Sequence, residues 1–140
     1  MEREIETRPK FSKRVNKVLY LQKQKGEFTM RERQEVLNYG MTFPDTNMDT
    51  PFHDANWVLL RYKKNKRAFA WTYERNGYIW VNVKVDPEWR DFWRDAYPSV
   101  LPGYHQNKEH WNAIRLDGSI PDEEMKRMIA ESYDLIIKKK

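Results

Sequence analysis

Between residues 57 and 84 three runs of strand-forming residues follow one another with almost nothing between them: WVLLRY, RAFAWTY and YIWVNVK. The first two flank the polar stretch KKNK. The second and third flank ERNG, in which Asn76-Gly77 is a strong hairpin signal because both residues tolerate positive φ. The spacing predicts a consecutive antiparallel meander, Trp57–Tyr62, Arg67–Tyr73 and Tyr78–Lys84. A sheet of this kind needs partners over its apolar side, so the rest of the chain is read for elements able to cover it.

Such elements are present on both sides. Thr29-Met30-Arg31-Glu32 has the spacing of a capping box, which predicts a helix over about 30–39 with Gly40 as its C-cap. MTFPDTNMDTPFHDAN reads as loop from its Pro, Asp, Thr and Asn content. Asp86-Pro87 opens a second helix, over 87–97, because Asp caps and Pro suits the first position. Trp89, Phe92, Trp93 and Tyr97 fall at helical spacing within it. PSVLPGYHQNKE reads as loop, Trp111–Leu116 as a fourth strand, and 121–137 as a closing helix with the inner stripe Met125, Met128, Ile129, Ser132, Tyr133 and Ile136. In DGSIPD, Asp117-Gly118 turns the chain, while Ser119 and Asp122 stand at capping-box spacing with Pro121 in the first turn. The order helix, three-strand meander, helix, strand, helix is that of an α+β two-layer sandwich.

At 140 residues the chain has the length of one domain. Six Trp, eight Tyr and six Phe give it large buried areas per residue. Cysteine is absent, which excludes disulfides and thiolate metal sites. No apolar run approaches the ~20 residues of a membrane span, and MEREIETRPK lacks a signal-peptide core, so a cytoplasmic location is expected. The formal charge of +5 is unevenly placed. Residues 1–28 hold eight Lys or Arg against four Asp or Glu, and Lys138–Lys140 end the chain. Residues 29–137 are slightly acidic, with fifteen basic and seventeen acidic side chains. Residues 10–25 set Phe11, Val15, Val18, Leu19 and Gln22 on one helical stripe, with Lys10, Lys13, Arg14 and Lys17 on another side. The expectation is a basic amphipathic helical extension over 1–28, docking onto the domain or a partner, with nucleic-acid or membrane-surface contact as the alternative, followed by a domain over 29–140 with a basic tail.

The residues that carry chemistry are few. His105 and His110 are five apart, whereas chelation from a helix prefers three or four, and His53 is distant, so no metal site is expected. Ser132 is the hydroxyl most open to a nucleophilic reading, but it lies on an inner helical stripe, where serine commonly bonds backbone carbonyl. No catalytic residue and no cofactor are predicted. Lys108, His110 and Trp111, joined by Lys84, could hold a phosphate and stack a base, the alternative being that Trp111 is core and Lys108 solvated. The hairpin RYKKNKR places Arg61, Lys63, Lys64, Lys66 and Arg67 at a tip. A run of this type positions on phosphates without reading sequence, unless it is solvated surface.

FPDTNMDTPF, FAWTYERNGYIWVNVKVDPE, YHQNKEHWNAIRLDGSIPDEE and ESYDL, in that order between about Arg31 and Ile137, resemble the MmcQ/YjbR family. The resemblance implies a frataxin-like (CyaY-like) sandwich, and proteins similar to this are commonly called DNA-binding on the basis of a proposed double-wing arrangement. The expectation is therefore a non-enzymatic binding domain with nucleic acid as first-choice partner. The runner-up is a protein-interaction module, an adaptor or inhibitor that captures a protein or nucleoprotein partner. An enzyme or small-ligand protein using the His105–Trp111 region stands third.

Overall fold

The computed structural model describes residues 29–138. The expected helix over 10–25, the rest of the extension and Lys139-Lys140 of the basic tail lie outside the described residues. Within them, α1 (Arg33–Gly40), β1 (Thr46–Asp49), β2 (Val58–Tyr62), β3 (Ala68–Arg75), β4 (Tyr78–Lys84), α2 (Pro87–Ala96), β5 (Val100–Pro102), β6 (Trp111–Arg115) and α3 (Asp122–Ile137) follow in order. The six strands form one antiparallel sheet in the order β1-β2-β3-β4-β6-β5. The protein is an α+β domain with its three described helices beside that sheet.

The meander is as predicted, and its second turn has the expected geometry, with φ of 55° at Asn76 and 81° at Gly77. Two strands stand where loop was expected. Thr46–Asp49 is read as loop from residue type, yet it pairs with β2 from Thr46↔Tyr62 to Asp49↔Leu59. Val100–Pro102 pairs with β6 and holds Pro102 at a sheet edge, where a missing N–H is tolerated. Long-range pairing, which no local pattern announces, overrides turn chemistry at both edges.

The caps differ in detail as well. Glu32, not Thr29, is the N-cap of α1, and it forms the capping box with Glu35. Gly40 stays inside the helix, where a Cβ would run into Leu60 Cδ1. Its smallness, not a C-cap conformation, is what this position requires. Asp86 caps α2 as predicted, accepting from Glu88 N at 2.9 Å, with Pro87 first. Pro121 is the N-cap of α3 with no side-chain cap. Ser119 is therefore not the cap expected there; its hydroxyl turns to Asp117 and Ser99 instead.

All three helices cover one face of the sheet. Val36 and Leu37 of α1, Trp93 of α2, and Met125, Met128, Ile129 and Ile136 of α3 share a buried cluster with Leu60, Ala70, Val81, Val83 and Ile114. The predicted stripe of α3, including Ser132 and Tyr133, is buried throughout. Ser132 has a specific task there. The β2–β3 register skips Phe69, a bulge, between Leu60↔Ala70 and Arg61↔Ala68. The β3–β4 ladder stops at Ala70↔Val83. Ser132 Oγ fills the gap, donating to Phe69 O at 2.6 Å and accepting from Lys84 N at 2.8 Å. A bulge leaves ladder groups unpaired, and this hydroxyl satisfies one from each strand.

Candidate binding face of the sheet

The basic residues singled out from the sequence are distributed by the topology. The β2–β3 turn, the end of β4 and the start of β6 lie at the same end of the sheet, since Lys84 pairs with Trp111 and Ala70 with Val83. The hairpin and the Lys84–Trp111 pair are thus brought to one end. Their side chains are not equally available. Arg61 Nε binds Asp49 at 2.6 Å and its Nη1 donates to Lys66 O. Lys64 lies 3.8 Å from Asp45. Lys63, Lys66 and Arg67 are exposed, and Lys66 adopts φ of 65° at the turn. Asn65 anchors the tip to the end of α3 by donating to Ile136 O at 2.9 Å.

Lys84 Nζ lies 5.6 Å from the centre of the half-buried Trp111 ring. Lys108 is exposed but reaches back to Gly103 O at 3.0 Å. His110 is half-buried, and its carbonyl accepts from Val85 N. Arg94 of α2 pins the same segment by donating to Asn112 Oδ1 at 2.7 Å and to Lys108 O. Ser132 Oγ is committed to backbone on both sides, to Phe69 O and Lys84 N. Among the described residues no three His, Asp or Glu side chains converge in a metal-binding group, and no helix is long and apolar enough to cross a membrane.

Alternation along the strands puts a second set of residues on the face away from the helices. The register aligns Leu59, Trp71, Asn82 and Ala113 in one row and Tyr73, Trp80 and Arg115 in the next. Arg75 and Tyr78 follow beyond. The buried cluster on this side, Tyr73, Trp80 and Ala113 with Trp57 and Tyr104 against it, contains no residue of the three described helices. Two loops close over part of it. Asn82 Nδ2 donates to Tyr104 O and to Gln106 Oε1, while Asn82 Oδ1 accepts from the Tyr73 hydroxyl at 2.7 Å. Burial raises the pKa of that phenol, Arg75 opposing the shift and Tyr104 adding to it. Tyr73 therefore stays a neutral donor, and Asn82 holds the 103–107 segment against the sheet.

Two cavities flank Tyr104. One, of about 370 Å³, is lined by Phe52, Asp54, Trp57 and Trp71, with Tyr104, His105 and Gln106 from the second loop. The other, of about 270 Å³, includes Arg75, Trp80, Lys108 and Ala113. The Arg75 guanidinium lies 4.0 Å from the centre of the Tyr104 ring and 5.2 Å from that of Trp80. Phe52, Asp54, Trp57, Trp71, Arg75 and Tyr104 were not among the residues singled out from the sequence. The available signal was the period-two reading of FAWTYER, which sets Trp71, Tyr73 and Arg75 on one side of a strand.

The stretch from Trp111 to Asp122 is a structural corner. Asp117 accepts from Ser99 Oγ at 2.5 Å, from Ser119 Oγ at 2.6 Å and from Arg115 Nε at 2.9 Å. Burial would raise its pKa, but the bonds from Ser119, Ser99 and Arg115 outweigh it and hold the carboxyl at about 2.

Residues 41–135 match the family model described as YjbR. The chain belongs to the YjbR family. Its relatives in that family include YjbR of Escherichia coli K12, 31% identical over 99 residues that cover 71% of this chain and 81% of that protein. YyaQ of Bacillus subtilis 168 is 29% identical over 117 residues, covering 76% and 98%. Among solved structures, a Deinococcus radiodurans protein with a DUF419 domain superposes with a TM-score of 0.71 at 32% identity, covering 79% of this chain and 81% of that one. A Pseudomonas syringae protein gives 0.67 at 26%, covering 74% and 97%. The YjbR match takes in all six strands, both cavities and most of α3, so the open face lies wholly within the family segment.

Proposed function

We propose that this YjbR domain is a non-enzymatic, cytoplasmic binding protein that receives single-stranded nucleic acid across the open face of its sheet. The frataxin-like (CyaY-like) type of sandwich belongs to the same reading, supported by helices gathered on one face of an antiparallel sheet. The observation that carries the functional part is the composition of the face that none of the described helices covers. Trp71, Trp111 and Tyr78 are half-buried or exposed there, interleaved with Arg75 and Lys84. Aromatic faces stack bases of any sequence while neighbouring cations follow the backbone. Lys63, Lys66 and Arg67 at one end of the sheet, and Lys108 beside the smaller cavity, extend the track. Compared with a hairpin wing entering a duplex groove, this arrangement favours splayed single strands, whose bases are free to stack.

The test is a salt titration of fluorescence anisotropy with a labelled oligothymidine and with its duplex, a charge-matched basic protein serving as control. The expected result is tighter binding to the single strand. Each neutralised phosphate should contribute about 0.7 to the slope of log affinity against log salt. Binding no tighter than the control, or tighter to duplex than to single strand, overturns the reading and moves the choice to the protein or nucleoprotein partner.

A further inference from the structure

The larger cavity has a geometry of which the nucleic-acid reading uses only Trp71. Phe52, Trp57 and Trp71 stand with all three pairs of ring centres 6.2 Å apart. Trp57 is nearly perpendicular to both others, at 88° and 86°, while Phe52 and Trp71 are within 30° of parallel. Three rings so disposed present π-faces and edges in different directions around one space. A flat base can stack on only one of them. A compact, roughly spherical group can touch all three.

Charge narrows the choice further. Aromatic faces carry negative quadrupole potential and attract cations. Among the described residues the cavity is lined by one acidic side chain, Asp54, and by no Lys or Arg. Asp54 Oδ1 is occupied by its own turn, accepting from Asn56 N at 2.8 Å, which fixes the carboxylate in place. Trp71 Nε1 is shielded from solvent with no acceptor, which leaves His105 and Gln106 among the cavity's polar side chains to offer donors to a solute. The cavity of about 370 Å³ is large enough to admit a small ligand or one side chain.

We infer that the box of Phe52, Trp57 and Trp71, with Asp54 in its wall, is a binding site for a methylated ammonium group. The group is held by contact of its polarised methyls with the three rings and by the charge of Asp54. Free choline-like molecules and trimethylated lysine side chains share this chemistry. The site shares Trp71 with the proposed stacking track but none of the basic residues of the cavity on the other side of Tyr104, and choline binding is measured without nucleic acid, so the two readings fail separately.

The experiment follows the indole N–H signals of the full chain by NMR during titration with choline, with its neutral isostere 3,3-dimethylbutan-1-ol, and with a peptide bearing trimethyllysine. Choline should shift the Trp57 and Trp71 signals saturably and bind about tenfold or more tighter than the neutral alcohol. Asp54→Asn keeps the turn acceptor and should weaken choline about threefold, leaving the alcohol unchanged. Trp71→Phe should weaken choline further. A peptide binding tighter than choline identifies the group as protein-borne, and the reverse order identifies a free small molecule; either supports the site. Equal binding of choline and the alcohol, no saturable shift of Trp57 or Trp71, or undiminished choline binding by Asp54→Asn overturns it.

Discussion

The two faces of the sheet are made of different material. Toward the helices stand Leu60, Ala70, Val81, Val83 and Ile114, all buried in one cluster with every described helix. Toward the loops stand Trp57, Trp71, Tyr73, Trp80 and Tyr104, with Arg75 and Asn82 among them. Aliphatic side chains interdigitate to crystal-like density and leave no room for a ligand. Large rigid rings roofed, among the described residues, by loops leave the spaces of about 370 and 270 Å³. The helix face is therefore where substitutions should unfold the protein, and the open face is where they should change what it binds.

The largest effect belongs to the helix face. Phe69 is fully buried against Phe43 and Tyr133, so Phe69→Ala should cost about 3–5 kcal/mol in urea unfolding. Ser132→Ala comes next. It leaves Phe69 O and Lys84 N without their shared partner, at about 1–3 kcal/mol for each buried group. A loss below ~1 kcal/mol would show that water replaces the hydroxyl.

On the open face, Trp71→Ala should cost less stability than Phe69→Ala while removing a base-stacking contribution of ~1–3 kcal/mol from oligothymidine binding. Unfolding as severe as that of Phe69→Ala would erase the contrast between the faces.

Asp117, at the corner after β6, gives a pH signature. Its folded pKa of about 2 lies below the ordinary carboxylate value. The stabilisation is thus fully present above about pH 4 and lost as pH falls toward about 2. Arg115 is a third exposed, so the loss should be only about 1 kcal/mol. Asp117→Asn should flatten the difference between the pH 4.5 and pH 2.5 unfolding midpoints, about the sign of which linkage leaves no choice.

The smallest effect on stability is expected from Lys63→Ala, Lys64→Ala and Lys66→Ala combined, within about 0.5 kcal/mol of the parent. The same change should lower the salt slope of single-strand binding by roughly one to two units, Lys64 contributing least because Asp45 already faces it. An unchanged slope would confine nucleic-acid contact to the face itself.

Much of this architecture was legible in the chain. Asn76-Gly77, Asp86-Pro87 and the stripe of α3 act through neighbours in sequence, so φ preference, capping and helical period sufficed to place them. The family segment was legible too, in ordered blocks such as FAWTYERNGYIWVNVKVDPE and HWNAIRLDGSIPD. Thr46–Asp49 and Val100–Pro102 were not, because an edge strand is defined by the partner that supplies its hydrogen bonds. The same holds for the site. Composition marks Arg61 as a free cation, and only the fold gives it Asp49. Trp57 and Trp71 read equally well as core or surface. Which face each ring occupies follows from register, and whether that face is covered follows from where α1, α2 and α3 pack. Local chemistry determined the elements and the family; the larger cavity exists because separate loops carrying Phe52 and Tyr104 meet over the same strands, and the smaller because the Tyr104 loop folds back over Trp80 and Ala113.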